Sequence, residues 1–277
     1  MWSTRPQGLG EQEREAAWKL HWAFEVARNR HAISPWHRGV MSRSRSSDLN
    51  AGNPYARIKW GDVLWSEFVS HFDLCEENPL PEIPLFWLTL VDIGCFTAHD
   101  AEQINLAAII HKLRGGLGGL SYIGMIDAAY YTNIAPGTEF SERRGVNWHL
   151  HLFAWGETRK QIKARFATLN DSNDNYRPII PEGLGADWKQ VTEEMLPIRF
   201  RYMLKTPRKS YRIGRKELCD PEGRVDFKFM QNKSDLRPGE RVTLFLLLKR
   251  FWLNELTVAG GEGVELRRRA LRQITTP

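Results

Sequence analysis

The stretch "GVNWHLHLFAWG", residues 145–156, alternates in a way that decides the fold. Successive side chains of a β-strand point to opposite faces. Trp148, Leu150 and Leu152 then share an apolar face, and His149 and His151 share the other. Residues two apart on a strand have Cα atoms about 6.5–7 Å apart, close enough for two imidazoles to converge on one ion. Imidazole suits Zn, Cu, Fe and Ni, and a mixed nitrogen and oxygen site also accepts Mg or Mn. The plain alternative is two polar residues on a solvated sheet face.

Outward from this strand, the pattern predicts an α+β fold: an antiparallel β-sheet with packed helices and a helical N-terminal segment. "LFWLTLVDIG" (85–94) and "LSYIGMIDAAYY" (120–131) read as strands, with a helix over 100–116 between them. Residues 157–170 read as an amphipathic helix, 186–192 as a short strand, and Pro197 suits the first turn of a helix carrying "PIRFRYMLK". Residues 225–256 form a further apolar segment that closes as a helix, and the basic last 15 residues are expected to fray. Upstream, helical spacing covers 10–30 and 60–75, separated by a Ser, Arg, Gly and Asn-rich loop at 34–54. Trp18, Trp22 and Val26 form one apolar stripe and Leu64, Phe68 and Phe72 another, and both are read as core. The expected organisation is a helical accessory segment (1–80), a sheet domain (81–256) and a basic tail (257–277). The role of residues 1–80 stays open between a DNA-specificity element and a packing layer.

Composition fits a globular protein: 277 residues, 42% hydrophobic, with 11 Trp and 13 Phe. No apolar run approaches the roughly 20 residues of a membrane span, and no secretory h-region is visible at the N-terminus. Cys75, Cys95 and Cys219 are far apart, which argues against a disulfide framework and for a reducing, cytoplasmic setting. Net charge is +6, and it is concentrated. Residues 199–216, "RFRYMLKTPRKSYRIGRK", contain only basic charges, while the rest of the chain is slightly acidic. Such a block suits a polyanionic partner.

Several uses of His-x-His fail here. Binuclear hydrolases on β/α-barrels and cupin sites need a later histidine, and none follows His151. Histidine-triad hydrolases need a third histidine where this chain has Phe153. What remains is "HLHLFAW", which resembles the H-U-H motif (U apolar) of the HUH endonucleases, the class of rolling-circle replication initiators, some transposases and conjugative relaxases. Two further stretches fit the initiator type in the right order: "FWLTLVD" (86–92) as the upstream strand motif, and "YMLK", Tyr202 and Lys205, as the Tyr-x-x-Lys helix motif. The three cover residues 86–205. The tyrosine follows the histidines, unlike most relaxases, which favours an initiator or a transposase.

The resemblance implies a ferredoxin-like variant of the α+β fold and site-specific nicking of single-stranded DNA. Tyr202 would be the single nucleophile, leaving a 5′-phosphotyrosine, with Lys205 on the same helical face contacting phosphate or steadying the tyrosine. His149, His151 and a carboxylate would hold Mn²⁺ or Mg²⁺. Asp127 is the first candidate for that carboxylate, with Glu139, Glu142 and Asp92 as alternatives. Arg199, Arg201, Arg208, Lys209, Arg212, Arg215 and Lys216 would contact DNA. Tyr211 lies nine residues after Tyr202, about 900° around a helix, and Pro207 intervenes, so it would pack or stack on a base. The implied setting is rolling-circle replication of a plasmid or phage, acting on single-stranded or origin hairpin DNA. With no Walker motif in the chain, a separate host helicase would unwind. A single-tyrosine transposase or mobilisation nickase, and a DNA-binding regulator without nuclease activity, are the other readings.

Overall fold

The histidine stretch is the middle of the sheet. In the computed structural model, which describes residues 8–27, 33–101, 104–134, 144–171, 176–180, 183–219 and 225–275, it forms β4 (Gly145–Trp155), buried along its whole length. β3 (Ser121–Ile134) runs antiparallel beside it, from Ser121 opposite Trp155 to Tyr131 opposite Gly145. On its other side β4 pairs first with β1 (Phe86–Leu90) and then with the short β2 (Phe96–Ala98). β5 (Ala186–Gln190) flanks β1. The free side of β3 is shared by β8 (Thr257–Gly260), antiparallel, and β6 (Lys209–Cys219), parallel. β7 (Val225–Asp235) closes a hairpin with β6. The class is α+β, as expected. The sheet is mixed rather than purely antiparallel, because β6 joins β3 in parallel.

Both faces of β4 are covered, which is why it has no solvated side. Trp148, Leu150 and Leu152 are fully buried on one face. On the other, Phe153 packs against Phe68 of α3 (Pro54–His71) and Phe200 of α6 (Met195–Leu204), with ring centroids 5.4 and 5.8 Å away. Aromatic pairs of this kind add about 0.5–1.5 kcal/mol each beyond area burial. α4 (Leu106–Arg114) packs on β4, and α5 (Arg159–Asp171) on β5.

Among the described residues of the first 80, part packs into the same core, and part of α1 (Leu9–Ala27) forms a second cluster with Val40, Met41, Val242 and Phe245. Leu9, Trp60, Leu64, Trp65 and Phe68 sit in one cluster with the strand residues. α3 begins six residues earlier than the helical spacing over 60–75 suggested, because Asn53 caps it by accepting from the Tyr55 amide, and Pro54 follows at the first turn. The loop expected over 34–54 contains a short helix, α2 (Pro35–Val40), and a 3-10 turn at Arg43–Asp48.

The stripe of α1 (Leu9–Ala27) corrects the sequence reading. Trp18, Trp22 and Val26 are 67%, 49% and 56% exposed. The buried face is Ala16, Ala17, Leu20, Ala23, Phe24 and Ala27 instead. α1 lies against both α3 and α7 (Pro238–Leu248). An alanine-rich face permits that close approach, whereas two indole rings would hold the helices apart.

The C-terminal third also departs from expectation. Val225, Phe227 and Phe229 alternate with polar residues, and this period of two makes β7 a strand within what was read only as an apolar segment ending in a helix. α7 and α8 (Leu253–Leu256) follow it. The tail expected over 257–277 is instead β8 and α9 (Gly263–Thr275). Leu266 and Ala270 of α9 are fully buried. Its basic side chains have partners: Arg269 and Gln273 meet Glu67 of α3, and Arg268 and Arg272 meet Glu265. No helix among the described residues is long and apolar enough to cross a membrane.

The N-terminal layer also grips the end of α6. Arg57 of α3 is buried and donates to the carbonyls of Leu204, Lys205 and Ala51 at 3.1–3.3 Å. Glu13 of α1, fully buried, accepts from the amide of Thr206 at 2.9 Å and from its hydroxyl. Burial pushes the Glu13 carboxyl up, and Arg57 and Thr206 oppose that shift. Removing one member of such a buried charged group leaves the other uncompensated. Arg57→Met is therefore expected to cost about 3–5 kcal/mol of stability, read as a lowered urea midpoint with an unchanged slope.

Candidate metal centre

The cross-strand register assembles the site. Asp127 of β3 lies directly opposite His149, while Met125 of β3 and Thr89 of β1 lie opposite His151 from either side. Directly paired residues project from the same face. Asp127, His149 and His151 are therefore brought together, at 8%, 8% and 5% exposure. Their candidate ligand atoms all lie within 4.8 Å of one another, so the cluster could hold a metal ion.

The spacing of the two imidazoles fits that role. Nε2 of His149 is 3.0 Å from Nε2 of His151. Two ligands about 2.1 Å from an ion and at right angles to each other would be about 3.0 Å apart. The outer nitrogens are held as well. His149 Nδ1 faces the Asn147 carbonyl at 3.3 Å. A carbonyl only accepts, so that nitrogen carries the proton and Nε2 presents a lone pair. His151 Nδ1 lies 3.2 Å from the Thr89 hydroxyl, which either donates or accepts. With Thr89 donating, His151 keeps its proton on Nε2 and gives it to His149. With Thr89 accepting, the proton sits on Nδ1 and both Nε2 lone pairs face the gap. The hydroxyl thus supports both the metal-free and the metal-ready tautomer. Such outer contacts set ligand orientation and basicity.

The charges agree with this. Burial lowers the pKa of His149, opposed by Asp127. Burial, then the neighbouring His149, lowers that of His151 well below the ordinary value. Both shifts favour the neutral ring, the form in which imidazole can coordinate a metal. Burial alone would push the Asp127 carboxyl up, but Lys205, His149, Arg57 and the Ala128 amide together hold it below the usual carboxylate range. Asp127 Oδ2 is 3.8 Å from His149 Nε2 and 3.5 Å from Lys205 Nζ, and Oδ1 accepts from the Ala128 amide at 2.8 Å.

α6 delivers Tyr202 to the cluster. The Tyr202 ring meets the His151 ring edge-on, with centroids 4.9 Å apart. Trp87 stacks on His151 at 5.4 Å and meets the Tyr202 ring edge-on at 6.2 Å. Lys205 is the residue just past the helix end, with ψ 148°, rather than on the helical face expected for it. Its ammonium nonetheless sits 3.7 Å above the Tyr202 ring centre, between the tyrosine and Asp127. A cleft of about 260 Å³ opens beside this group, lined by Asp127, His149, Tyr202, Lys205, Arg208 and Tyr211 among others.

The remaining expected residues divide. Arg208 and Lys209 line the cleft and pair with Glu15 and Asp235. Arg199 packs over Trp87 at 5.5 Å, and the Arg201 guanidinium lies against Gly8. Arg212, Arg215 and Lys216 are exposed along the β6–β7 hairpin, away from the cleft lining. Tyr211 lines the cleft but stacks on Tyr131 at 5.3 Å, and burial raises its hydroxyl pKa. Asp92 is buried and bridged to Lys112 of α4. Glu139 and Glu142 lie outside the described residues. Thr89, Trp87, Asn147 and Arg57 were not anticipated as parts of the site. Trp87 and Thr89 share a period-two face in "FWLTL", but only the register with β4 brings them to His151.

No family model, no curated protein and no solved structure matches this chain.

Two outcomes follow from the geometry. Thr89→Val keeps the shape but removes the hydroxyl, so Mn²⁺ affinity measured by calorimetry is expected to fall about 10–100-fold with the metal-free fold intact by circular dichroism. The folded-state pKa values of His149 and His151 lie below the unfolded value of about 6.5. The stability contributed by their neutral rings is therefore present above that value and lost as pH falls through the folded pKa. Thermal unfolding without metal should show this loss below about pH 6.5, and saturating Mn²⁺ should move it to lower pH.

Proposed function

We propose that this chain is a metal-dependent DNA endonuclease and strand transferase of the HUH type, with Tyr202 as its single nucleophile. The observation that carries the reading is the position of the Tyr202 ring, 4.9 Å from the His151 ring, with the Lys205 ammonium between it and Asp127. A nucleophile beside a cluster of two neutral imidazoles and a carboxylate suits phosphodiester transesterification.

On this reading His149, His151 and Asp127 hold the ion, and Mn²⁺ or Mg²⁺ is the proposed metal. A divalent ion bound there supplies Lewis-acid polarisation of a phosphate oxygen and compensates developing charge. The chain's own groups do the rest. Tyr202 Oη forms a bond to phosphorus and loses its proton. The bond from phosphorus to the 3′-oxygen breaks, and that oxygen takes up a proton. The result is a 5′-phosphotyrosine and a free 3′-hydroxyl. Lys205 is placed to neutralise the incoming phosphate and to fix the tyrosine ring by its cation–π contact. Arg208 and Lys209, at the cleft, suit backbone phosphates, and Tyr211 offers a partly exposed ring edge beside them.

The proposed role is initiation of rolling-circle replication of a plasmid or phage, with single-stranded or origin hairpin DNA as substrate and a separate helicase for unwinding. A transposase or mobilisation nickase would use the same chemistry.

The test is a covalent adduct. Full-length protein incubated with Mn²⁺ and pooled single-stranded oligonucleotides from a candidate origin should give a slower band on a denaturing gel. Tyr202→Phe should abolish it while retaining Mn²⁺ binding, and His149→Ala or His151→Ala should lose both. Lys205→Ala should slow adduct formation by about 10²-fold or more. An adduct that survives Tyr202→Phe would move the nucleophile elsewhere. Its absence with every strand would favour a DNA-binding regulator.

A further inference from the structure

The β6–β7 hairpin carries a surface that the metal centre does not use. β6 pairs with β3 only from Ser210 to Ile213, and beyond that point it is a two-stranded ribbon with β7. The ribbon's two faces differ. Tyr211, Ile213 and Phe229 point inward and pack with Tyr131, Ile134 and Ile179. Arg212, Lys216, Lys228, Met230 and Asn232 alternate with them and are exposed on the outer face.

One outer pair stands out. Lys216 lies directly opposite Lys228 in the register. Like charges directly across a sheet destabilise it, so fold stability alone gives no reason for the pair. A polyanion relieves the repulsion. The outer face also lacks rings: no aromatic residue holds an outer position from Ser210 to Leu218 or from Lys228 to Ser234. Single strands are gripped by stacking their bases on aromatics, and this face offers none. It offers cations for phosphates and Arg212 and Asn232 as donors for base edges. A two-stranded ribbon is one of the two elements that fit the major groove of B-form DNA, about 12 Å wide. The A-form groove of duplex RNA is too deep and narrow for it.

We infer that the outer face of the β6–β7 ribbon docks duplex DNA in its major groove, next to the cleft that takes the single strand. This takes DNA as the polyanion and so rests on the nuclease reading. It adds a second, double-stranded contact that would set the protein at a junction between duplex and single strand.

The experiment reads binding apart from cleavage. Fluorescence anisotropy is measured with full-length Tyr202→Phe protein, in chelator, on a short labelled DNA duplex, its isolated single strand and the matching RNA duplex. The parent should bind the DNA duplex more tightly than the RNA duplex. Adding Lys228→Glu should lower DNA-duplex affinity about fivefold or more and reduce the salt slope by about 1, with a smaller loss on the single strand. The same change replaces a like-charge pair by an opposite one, so the thermal midpoint should hold or rise. Affinity and stability moving in opposite directions exclude misfolding as the cause. Lys228→Gln, which only removes the charge, should give a smaller loss of the same kind. Unchanged duplex affinity would overturn the inference and leave the lysines as protection of an edge strand. Equal losses on duplex and single strand, or equal binding of the RNA duplex, would overturn it too. Failure of adduct formation with duplex docking intact would remove the nuclease reading and leave the ribbon standing.

Discussion

Two imidazoles face each other, nitrogen to nitrogen, in a sheet covered on both sides. The arrangement holds only because the groups around it are specific. His149 Nδ1 is committed to a backbone carbonyl, and His151 Nδ1 is matched to a hydroxyl that works in either direction. A buried polar group without a partner costs about 1–3 kcal/mol, so a covered face is a poor place for histidines unless each nitrogen is accounted for. Here each has a partner, and the inner pair points into a common gap beside a carboxylate held ionised by its neighbours. The pairing of β3 with β4 creates this constraint, because it sets Asp127 opposite His149 and no other residue.

A second constraint reaches the same site from the opposite end of the chain. Lys205 is the first residue past α6, and its backbone there is extended rather than helical. An isolated helix end of this kind would fray. Arg57 binds the carbonyls of Leu204 and Lys205, and Glu13 binds Thr206, so α3 and α1 determine where the lysine stands. Phe153 lies two residues from His151 on the same face of β4, and it stacks on Phe200, two residues before Tyr202. The strand that holds the cluster and the helix that carries the tyrosine are thereby joined by one aromatic contact.

What was legible in the sequence was local. The period of two in "HLHLFAW" set the strand and the shared face of the histidines. Apart from the short β2, the order of elements from 86 to 204 followed from periodicity and breakers, and Asp127 was within reach because its strand directly precedes the histidine strand. What escaped was set by long-range packing. The outward turn of Trp18 and Trp22 depends on α1 lying between α3 and α7, which hydropathy does not record. Residues 199–216 were read as a charge block, which hid the period-two pattern of Tyr211 and Ile213 and its match with Phe227 and Phe229. α9 was read as a tail because its arginines were counted as solvated, while Glu67, more than 200 positions earlier in the chain, supplies a partner for one of them. Thr89 and Arg57 act through contacts made only after folding.

The fate of the two cleft tyrosines bears on how the proposed reaction would proceed. Tyr202 touches the histidine cluster and carries a cation on its ring face. Tyr211 is on a strand, stacked on Tyr131, and its hydroxyl is made a weaker acid by burial. An activated nucleophile needs the opposite change. On the proposed reading, one chain would then support one covalent joint at a time. Under a single-tyrosine scheme the 5′-phosphotyrosine is released only by attack of a 3′-hydroxyl, either the one it left behind or one brought in on another strand, because no second tyrosine stands ready to take over the phosphate. Keeping the right 3′-end close through that interval becomes the main demand on the protein. It would be met by backbone contacts at the cleft from Arg208 and Lys209, whose carboxylate partners Glu15 and Asp235 hold them at its rim before any strand arrives.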